Sequence, residues 1–299
     1  MNQNYAYYPG CSALKSATEL DLAARQVMTA LGMSWKALDQ AACCGSRECG
    51  GLRVEDELFA LANNARTLAM AEASGAKTLV NVCSTCQLEL AGDNKRLQEN
   101  SDLMNQVNDT LTSIGRHYNG SVKVKNFLYV LLEDIGFDKL AEAVKRPLAG
   151  LRIAPFYGCH LLRPSEVHGS REDPYKPRSL GNLIEVLGAE EVQYNGASRC
   201  CGFHAILISE KPSLQMSGAH LLEAKEEGAD LIVTPCPLCH SVLDTYQPSI
   251  EGELRIKINL PVLHLPQLLG IAMGMDPETL GVERHMVDPL EVLKTILSN

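Results

Sequence analysis

Gly75-Ala76-Lys77-Thr78-Leu79-Val80-Asn81-Val82-Cys83 and Gly228-Ala229-Asp230-Leu231-Ile232-Val233-Thr234-Pro235-Cys236 are two versions of one segment, and they decide the fold. Each begins with Gly-Ala, crosses a short apolar run and reaches the first cysteine of a CxxC eight positions after its glycine. An apolar run of that length, bounded by turn chemistry, reads as a buried strand. The glycine ahead of it reads as the end of a helix, over Leu58–Ser74 in one copy and Ser213–Glu227 in the other.

Working outward, the repeat extends in both directions. Ser16-Ala17-Thr18-Glu19 has the pattern of a capping box, and Leu20, Ala24, Val27 and Leu31 follow at helical spacing before Gly32. Leu180, Leu183, Ile184 and Leu187 do the same before Gly188. A strand is expected next, over Ser34–Leu38 and again over Glu191–Tyr194. Beyond the CxxC, Phe127-Leu128-Tyr129-Val130-Leu131-Leu132 echoes His264-Leu265-Pro266-Gln267-Leu268-Leu269. Strands alternating with helices predict an α/β protein of two homologous, Rossmann-like halves, each with a mostly parallel sheet. The boundary falls near Arg146–Gly150, giving halves of 1–147 and 148–299. Residues 89–122 form a polar, helical insertion in the first half. Residues 164–178 form an extended loop in the second.

Ten of the eleven cysteines follow the same duplication. One set is Cys11, the pair Cys43-Cys44 ahead of Gly45, and Cys83 with Cys86. The other is Cys159, the pair Cys200-Cys201 ahead of Gly202, and Cys236 with Cys239. Cys49 is left over and reads as a core residue or spare thiol. Adjacent cysteines rarely meet disulfide geometry, and a cytosolic chain keeps its thiols reduced. A thioredoxin-like dithiol would use only the CxxC pairs. Structural zinc would use four sulfurs per ion, and zinc in one site stays open as a minor alternative. Two soft-metal centres of iron–sulfur type use all ten. The tight CCG turn would aim two thiolates at one core, with Gly45 or Gly202 allowing close backbone approach.

Composition narrows the rest. A net charge of −9 argues against a nucleic-acid binder. The N-terminus lacks the basic and apolar regions of a secretory signal, and the longest apolar stretches, Ala205–Ile208 and Leu260–Leu265, are too short to cross a bilayer. A cytoplasmic location is expected. No GxGxxG joins a strand to a helix, so electrons are expected to come from, or go to, another protein.

With these motifs in view, the chain resembles the B-type subunit of heterodisulfide reductase, of the CCG-domain family. The resemblance rests on both cysteine repeats, both CCG motifs, and the openings at Tyr8–Cys11 and Phe156–Cys159. Related CCG proteins include an extra subunit of some succinate dehydrogenases, thiol:fumarate reductases, and iron–sulfur subunits of glycolate or lactate oxidation. The chain has no ferredoxin-type CxxCxxCxxxCP motif, which favours the stand-alone form. The resemblance implies two non-cubane [4Fe-4S] clusters facing a cavity between the halves, where a disulfide is cleaved. Cys11, Cys43, Cys44, Cys83 and Cys86 would hold one; Cys159, Cys200, Cys201, Cys236 and Cys239 would hold the other.

It also implies an oxidoreductase of a multi-subunit complex, interconverting a disulfide and two thiols with its clusters as one-electron relays. Its partners would be a ferredoxin-like and a flavin-containing subunit, the C-type and A-type members of a heterodisulfide reductase-like complex. The resemblance leaves the substrate and the net direction open, a methanogen-type coenzyme heterodisulfide being one option and, in the sulfur-oxidising branch, lipoate-bound sulfur another. The competing reading is a non-catalytic electron-transfer subunit linking a dehydrogenase to a quinone or thiol acceptor. His160, His204 and His264 are candidate proton donors or cluster-tuning groups, against an ordinary structural role for each. Arg163, Arg171, Lys176 and Arg178 are candidates to hold an anionic substrate, against a solvated mixed-charge loop.

Overall fold

In a computed structural model, which describes residues 4–46, 56–168 and 172–298, the chain forms two four-stranded parallel sheets. The first holds β1 (Asn4–Tyr8), β2 (Ser34–Ala37), β3 (Thr78–Asn81) and β4 (Lys123–Asn126), in the order β2-β1-β3-β4. The second holds β5 (Arg152–Pro155), β6 (Glu190–Glu191), β7 (Leu231–Thr234) and β8 (Val262–His264), in the order β6-β5-β7-β8. The duplicated α/β architecture is thus present, with the apolar runs after Gly75 and Gly228 as central strands. β3 and β7 are buried along their whole length, as strands covered by helices on both faces must be.

The helices of the first half are α1 (Gly10–Lys15), α2 (Thr18–Ala30), α3 (Glu57–Ala73), α4 (Ser84–Glu99), α5 (Ser101–Thr112), α6 (Phe127–Tyr129) and α7 (Phe137–Ala143). Those of the second are α8 (Ser165–His168), α9 (Ser179–Val186), α10 (Glu210–Glu226), α11 (Pro237–His240), α12 (Gln247–Leu254), α13 (Leu265–Ala272) and α14 (Leu290–Leu297). The polar insertion is helical: it is the body of α4 and all of α5. The two halves share their cores. α2 packs on α13 and, reciprocally, α6 packs on α9; α1 meets α11 while α8 meets α4. Leu20 and Val27 lie in one apolar cluster with Leu268 and Leu280.

Three expectations are corrected. The capping box at Ser16 does not form: α2 begins at Thr18 after Ala17, with no side-chain cap. Glu19, its supposed partner, is buried and faces His264 Nε2 across the seam at 3.2 Å. The strand expected over Glu191–Tyr194 is reduced to β6. Beyond it the chain turns, and the Glu223 carboxylate accepts the Asn195 and Gly196 amides at 3.0 and 2.9 Å. The third correction is one of register. Asn81 pairs with Asn126 and Thr234 with His264, so His264 matches Asn126 rather than Phe127. Both residues cap the helix that follows their strand.

Candidate metal centres at the seam

β2 and β3 lie on opposite sides of β1, so the crevice beyond their carboxyl ends is the switch point where such sheets gather ligands. Cys11 follows β1, Cys43-Cys44 follow β2, and Cys83 and Cys86 follow β3. The second half repeats this with β5, β6 and β7. Topology alone therefore draws five cysteines to one sheet edge, twice.

Each quintet closes in space. Cys11 and Cys43 sulfurs are 3.4 Å apart, and Cys44 and Cys86 sulfurs 3.5 Å. The Cys83 side chain interacts with Cys86, Cys159 with Cys200, and Cys239 with both Cys201 and Cys236. All ten are free thiols. Exposure repeats between the copies: Cys44, Cys83 and Cys86, like Cys201, Cys236 and Cys239, are buried, while Cys11 with Cys43 and Cys159 with Cys200 lie outward. Cys49 and Arg171 lie outside the described residues.

The quintets also meet where the buried Cys83 and Cys236 side chains interact across the seam. Thiols this close share their protons unequally. Cys83 is held protonated chiefly by its bond to Cys236, with burial adding to it. Burial pushes Cys236 upward too, but bonds from Cys239, Cys83 and the backbone amides of Cys239 and Leu238 outweigh it and favour the thiolate. Likewise the Cys11–Cys43 bond raises Cys11 and lowers Cys43.

The glycines that bring backbone to sulfur are not those of the CCG turns. A Cβ on Gly45 would meet nothing within 4 Å, and one on Gly202 would meet Ser213 rather than a cysteine. The close approach belongs to Gly10 and Gly158, where a Cβ would stand 3.2 Å from Cys86 Sγ and 2.8 Å from Cys239 Sγ. Both adopt a positive φ, which glycine alone takes freely. These two cradles, packed against the CxxC sulfurs, suit a shared inorganic core held by thiolates.

Side chains that sequence reasoning missed pin the CC pairs. Asn63 and Asn64, on α3, donate to the Cys43 and Cys44 carbonyls at 2.8 and 3.1 Å. On α10, Ser217 donates to the Cys201 carbonyl at 2.7 Å, and His220 Nε2 lies 2.9 Å from the Cys200 carbonyl. Their signal was positional: Asn64 and Ser217 lie at matching distances, 19 and 19 positions, before Cys83 and Cys236.

The three candidate histidines separate into two places. His160 and His204 stand together, ring centroids 5.0 Å apart, and His160 Nδ1 lies 3.0 Å from Thr85 Oγ1, inside the CxxC of the other half. His264 is fully buried elsewhere, stacked on His240 with centroids 3.8 Å apart. In the long loop, Arg163 donates to the Pro174 carbonyl at 2.9 Å and Arg178 pairs with Glu191 at 2.9 Å. Lys176, Arg199, Tyr194 and His220 line a cavity of about 1060 Å³ that reaches Cys200.

Comparison with known proteins agrees with this arrangement. The CCG cysteine-rich domain family matches residues 5–91 and 153–244, one segment per sheet. The chain is 34% identical to the 8-methylmenaquinol:fumarate reductase membrane anchor subunit of Wolinella succinogenes, over 96% of this chain and 98% of that one. It is also 34% identical to a protein of Archaeoglobus profundus that is named as like the B-type subunit of heterodisulfide reductase, over 99% and 98%. The B-type subunit of the ferredoxin/F420H2-dependent CoB-CoM heterodisulfide reductase of Methanosarcina acetivorans is 30% identical over 97% and 95%. A hypothetical protein of Helicobacter pylori shares the fold, with a TM-score of 0.76 at 16% identity, covering 96% of this chain and 52% of that one. Among the described residues no helix is long and apolar enough to cross a membrane. Two matched segments, and relatives aligned end to end, make this chain a member of the cysteine-rich CCG-domain family, like the B-type subunit of heterodisulfide reductase.

Proposed function

We propose that the chain is the catalytic iron–sulfur subunit of a heterodisulfide reductase-like complex, interconverting a disulfide and two thiols. The observation that carries this reading is the contact between two complete quintets through Cys83 and Cys236. In it, the halves 1–147 and 148–299 each hold one non-cubane [4Fe-4S] cluster through their five cysteines. When bound, the clusters would supply the two electrons of S–S cleavage one at a time. The chain's own residues do the rest. Gly10 and Gly158 leave room beside the CxxC sulfurs. The amides of Leu238 and Cys239 favour negative charge on Cys236. His160, held by Thr85, and His204 beside it stand as proton donors to the departing thiolates. The cavity at Cys200, with Lys176 and Arg199 on its wall, admits an anionic substrate. His264 is too deeply buried to reach substrate and serves as a structural cap.

Electron delivery in this reading falls to a ferredoxin-like partner of C type and a flavin-bearing partner of A type, in the cytoplasm. Anaerobic purification should give about eight irons per chain with matching sulfide. The electron paramagnetic resonance signal should change when thiol or disulfide is added. A colourless protein without iron and sulfide overturns the assignment.

A second reading is favoured by the Wolinella relative, whose name is that of a membrane anchor subunit. It makes the chain a non-catalytic electron-transfer subunit linking a dehydrogenase to a quinone or thiol acceptor. Iron content would be the same, but the resonance signal would not respond to thiol or disulfide.

A further inference from the structure

His240, Asp244 and His285 converge behind the second CxxC, with one donor atom from each within 4.8 Å of the others and all three residues buried. His240 and Asp244 belong to the turn that follows Cys239. His285 arrives from the C-terminal segment, after the short helical turn Val282–Arg284. His285 Nδ1 is 2.8 Å from His240 Nε2 and 4.0 Å from Asp244 Oδ2.

The hydrogen bonds around His285 fix its tautomer. Gln267 donates through Nε2 to the Leu280 carbonyl at 3.1 Å, so its Oε1 is the acceptor. That oxygen takes the His264 amide at 3.1 Å and the His285 Nε2–H at 2.8 Å. His285 Nδ1 therefore carries a lone pair, and it points toward His240 and Asp244. A carbonyl or amide behind the distal nitrogen is the usual way a protein orients a metal-binding imidazole. Asp244 accepts the amides of Met286 and Val287 at 2.8 and 3.1 Å. Its single ion-pair partner among the described residues is His285. Buried charges are paired or coordinate metals, and a cation between Asp244 and the two imidazoles would supply the charge that neutral rings do not.

The first half serves as an internal control. Counting from Cys83 as from Cys236, Gln87 stands where His240 does and Ala91 where Asp244 does. Gln87 Nε2 donates to the Val124 carbonyl at 3.2 Å, and His240 Nε2 lies 3.0 Å from the matching Val262 carbonyl. An amide thus suffices to support the edge strand. The second half adds a carboxylate and a second imidazole that such support does not require.

We propose that His240, Asp244 and His285 form a closed zinc site, with the Val262 carbonyl as a fourth oxygen donor, clipping the C-terminal segment to the helix of the second CxxC. Two nitrogens and oxygen donors in a dry, closed pocket suit zinc in a structural role. Tetrahedral zinc holds such nitrogens about 3.3 Å apart, from zinc–nitrogen bonds of about 2.0–2.1 Å. The present separation of 2.8 Å is within a small side-chain adjustment of that. None of the three residues belongs to a quintet, although His240 directly follows Cys239.

The test uses the full-length protein with its iron in place, after mild chelation of loosely held metal. Plasma mass spectrometry should find one zinc per chain, and zinc X-ray absorption should show only nitrogen and oxygen neighbours, at about 2.0–2.1 Å. Asp244→Asn and His285→Gln, neither of them in a quintet, should lower zinc occupancy about tenfold or more with iron and sulfide unchanged. Wild-type protein without zinc, or zinc with sulfur neighbours at about 2.3 Å, overturns the site. Both wild-type measurements decide the matter even where a variant fails to fold.

Discussion

Gly158 leaves so little room beside Cys239 that one added methyl group would meet the sulfur at 2.8 Å, with a φ of +70°. Gly158→Ala therefore combines a steric conflict with left-handed strain of about 1–2 kcal/mol. Iron analysis of that variant should fall from about eight to about four atoms per chain, the first quintet being untouched. Gly10→Ala, whose Cβ would stand at 3.2 Å from Cys86, should lose less. Cys201→Ala should also halve the iron and abolish steady-state turnover; full turnover with half the iron would remove the need for two centres. At this scale the sequence was most legible where chemistry is written in spacing. Ten cysteines in two patterns of the same order could be read without coordinates. Gly10 and Gly158 could not, because each approaches a sulfur that is distant along the chain. Nor could His285, which lies in a tail outside the repeat.

Elements obey local rules until a distant partner outbids them. Ser16 and Glu19 have capping-box spacing, but Glu19 is drawn across the seam to His264, and the helix starts two residues later than Ser16. The echo after each CxxC was visible but misplaced by one residue, since two apolar runs slide past one another without changing their pattern. β6 was overestimated because the chain turns away soon after the Val192 amide bonds the Ile153 carbonyl, and Glu223 anchors the turn that follows through the Asn195 and Gly196 amides. That carboxylate steadies the turn leading to Cys200, so Glu223→Ala should destabilise the protein by about 1–3 kcal/mol, measured by denaturant unfolding. Burial raises the Glu223 carboxyl, but bonds from Asn195 and Gly196 outweigh it and hold it below its ordinary 4.5. A lowered acid stabilises the fold fully above the unfolded value and progressively less as pH falls through the folded one. The difference between wild type and Glu223→Ala should accordingly be constant above about pH 5 and shrink in more acid solution.

The molecule as a whole behaves as one cooperative body because each apolar cluster draws on both sheets. Leu280 is fully buried in such a cluster, beyond the last strand of the second sheet yet alongside Leu20 and Val27 of the first half. Leu280→Ala should cost about 2–5 kcal/mol. Calorimetry should show a single transition moved to lower temperature, rather than a new one split from the other half. Two separated transitions would mean that the halves melt independently. The duplication and the α/β class were legible from the paired segments at Gly75 and Gly228. How the halves meet was not, because seam residues such as Thr85 and His160 carry no periodic signature.

Cys83 and Cys236 occupy the same place in their respective repeats, and they touch. The other seam contacts come in swapped pairs, α2 on α13 with α6 on α9, and α1 on α11 with α4 on α8. Such reciprocity is the mark of an isologous contact, here made within a single polypeptide. A solitary half would bare that self-complementary face, and within one chain the two copies are free to differ. Gln87 in one copy and His240 in the other record that freedom.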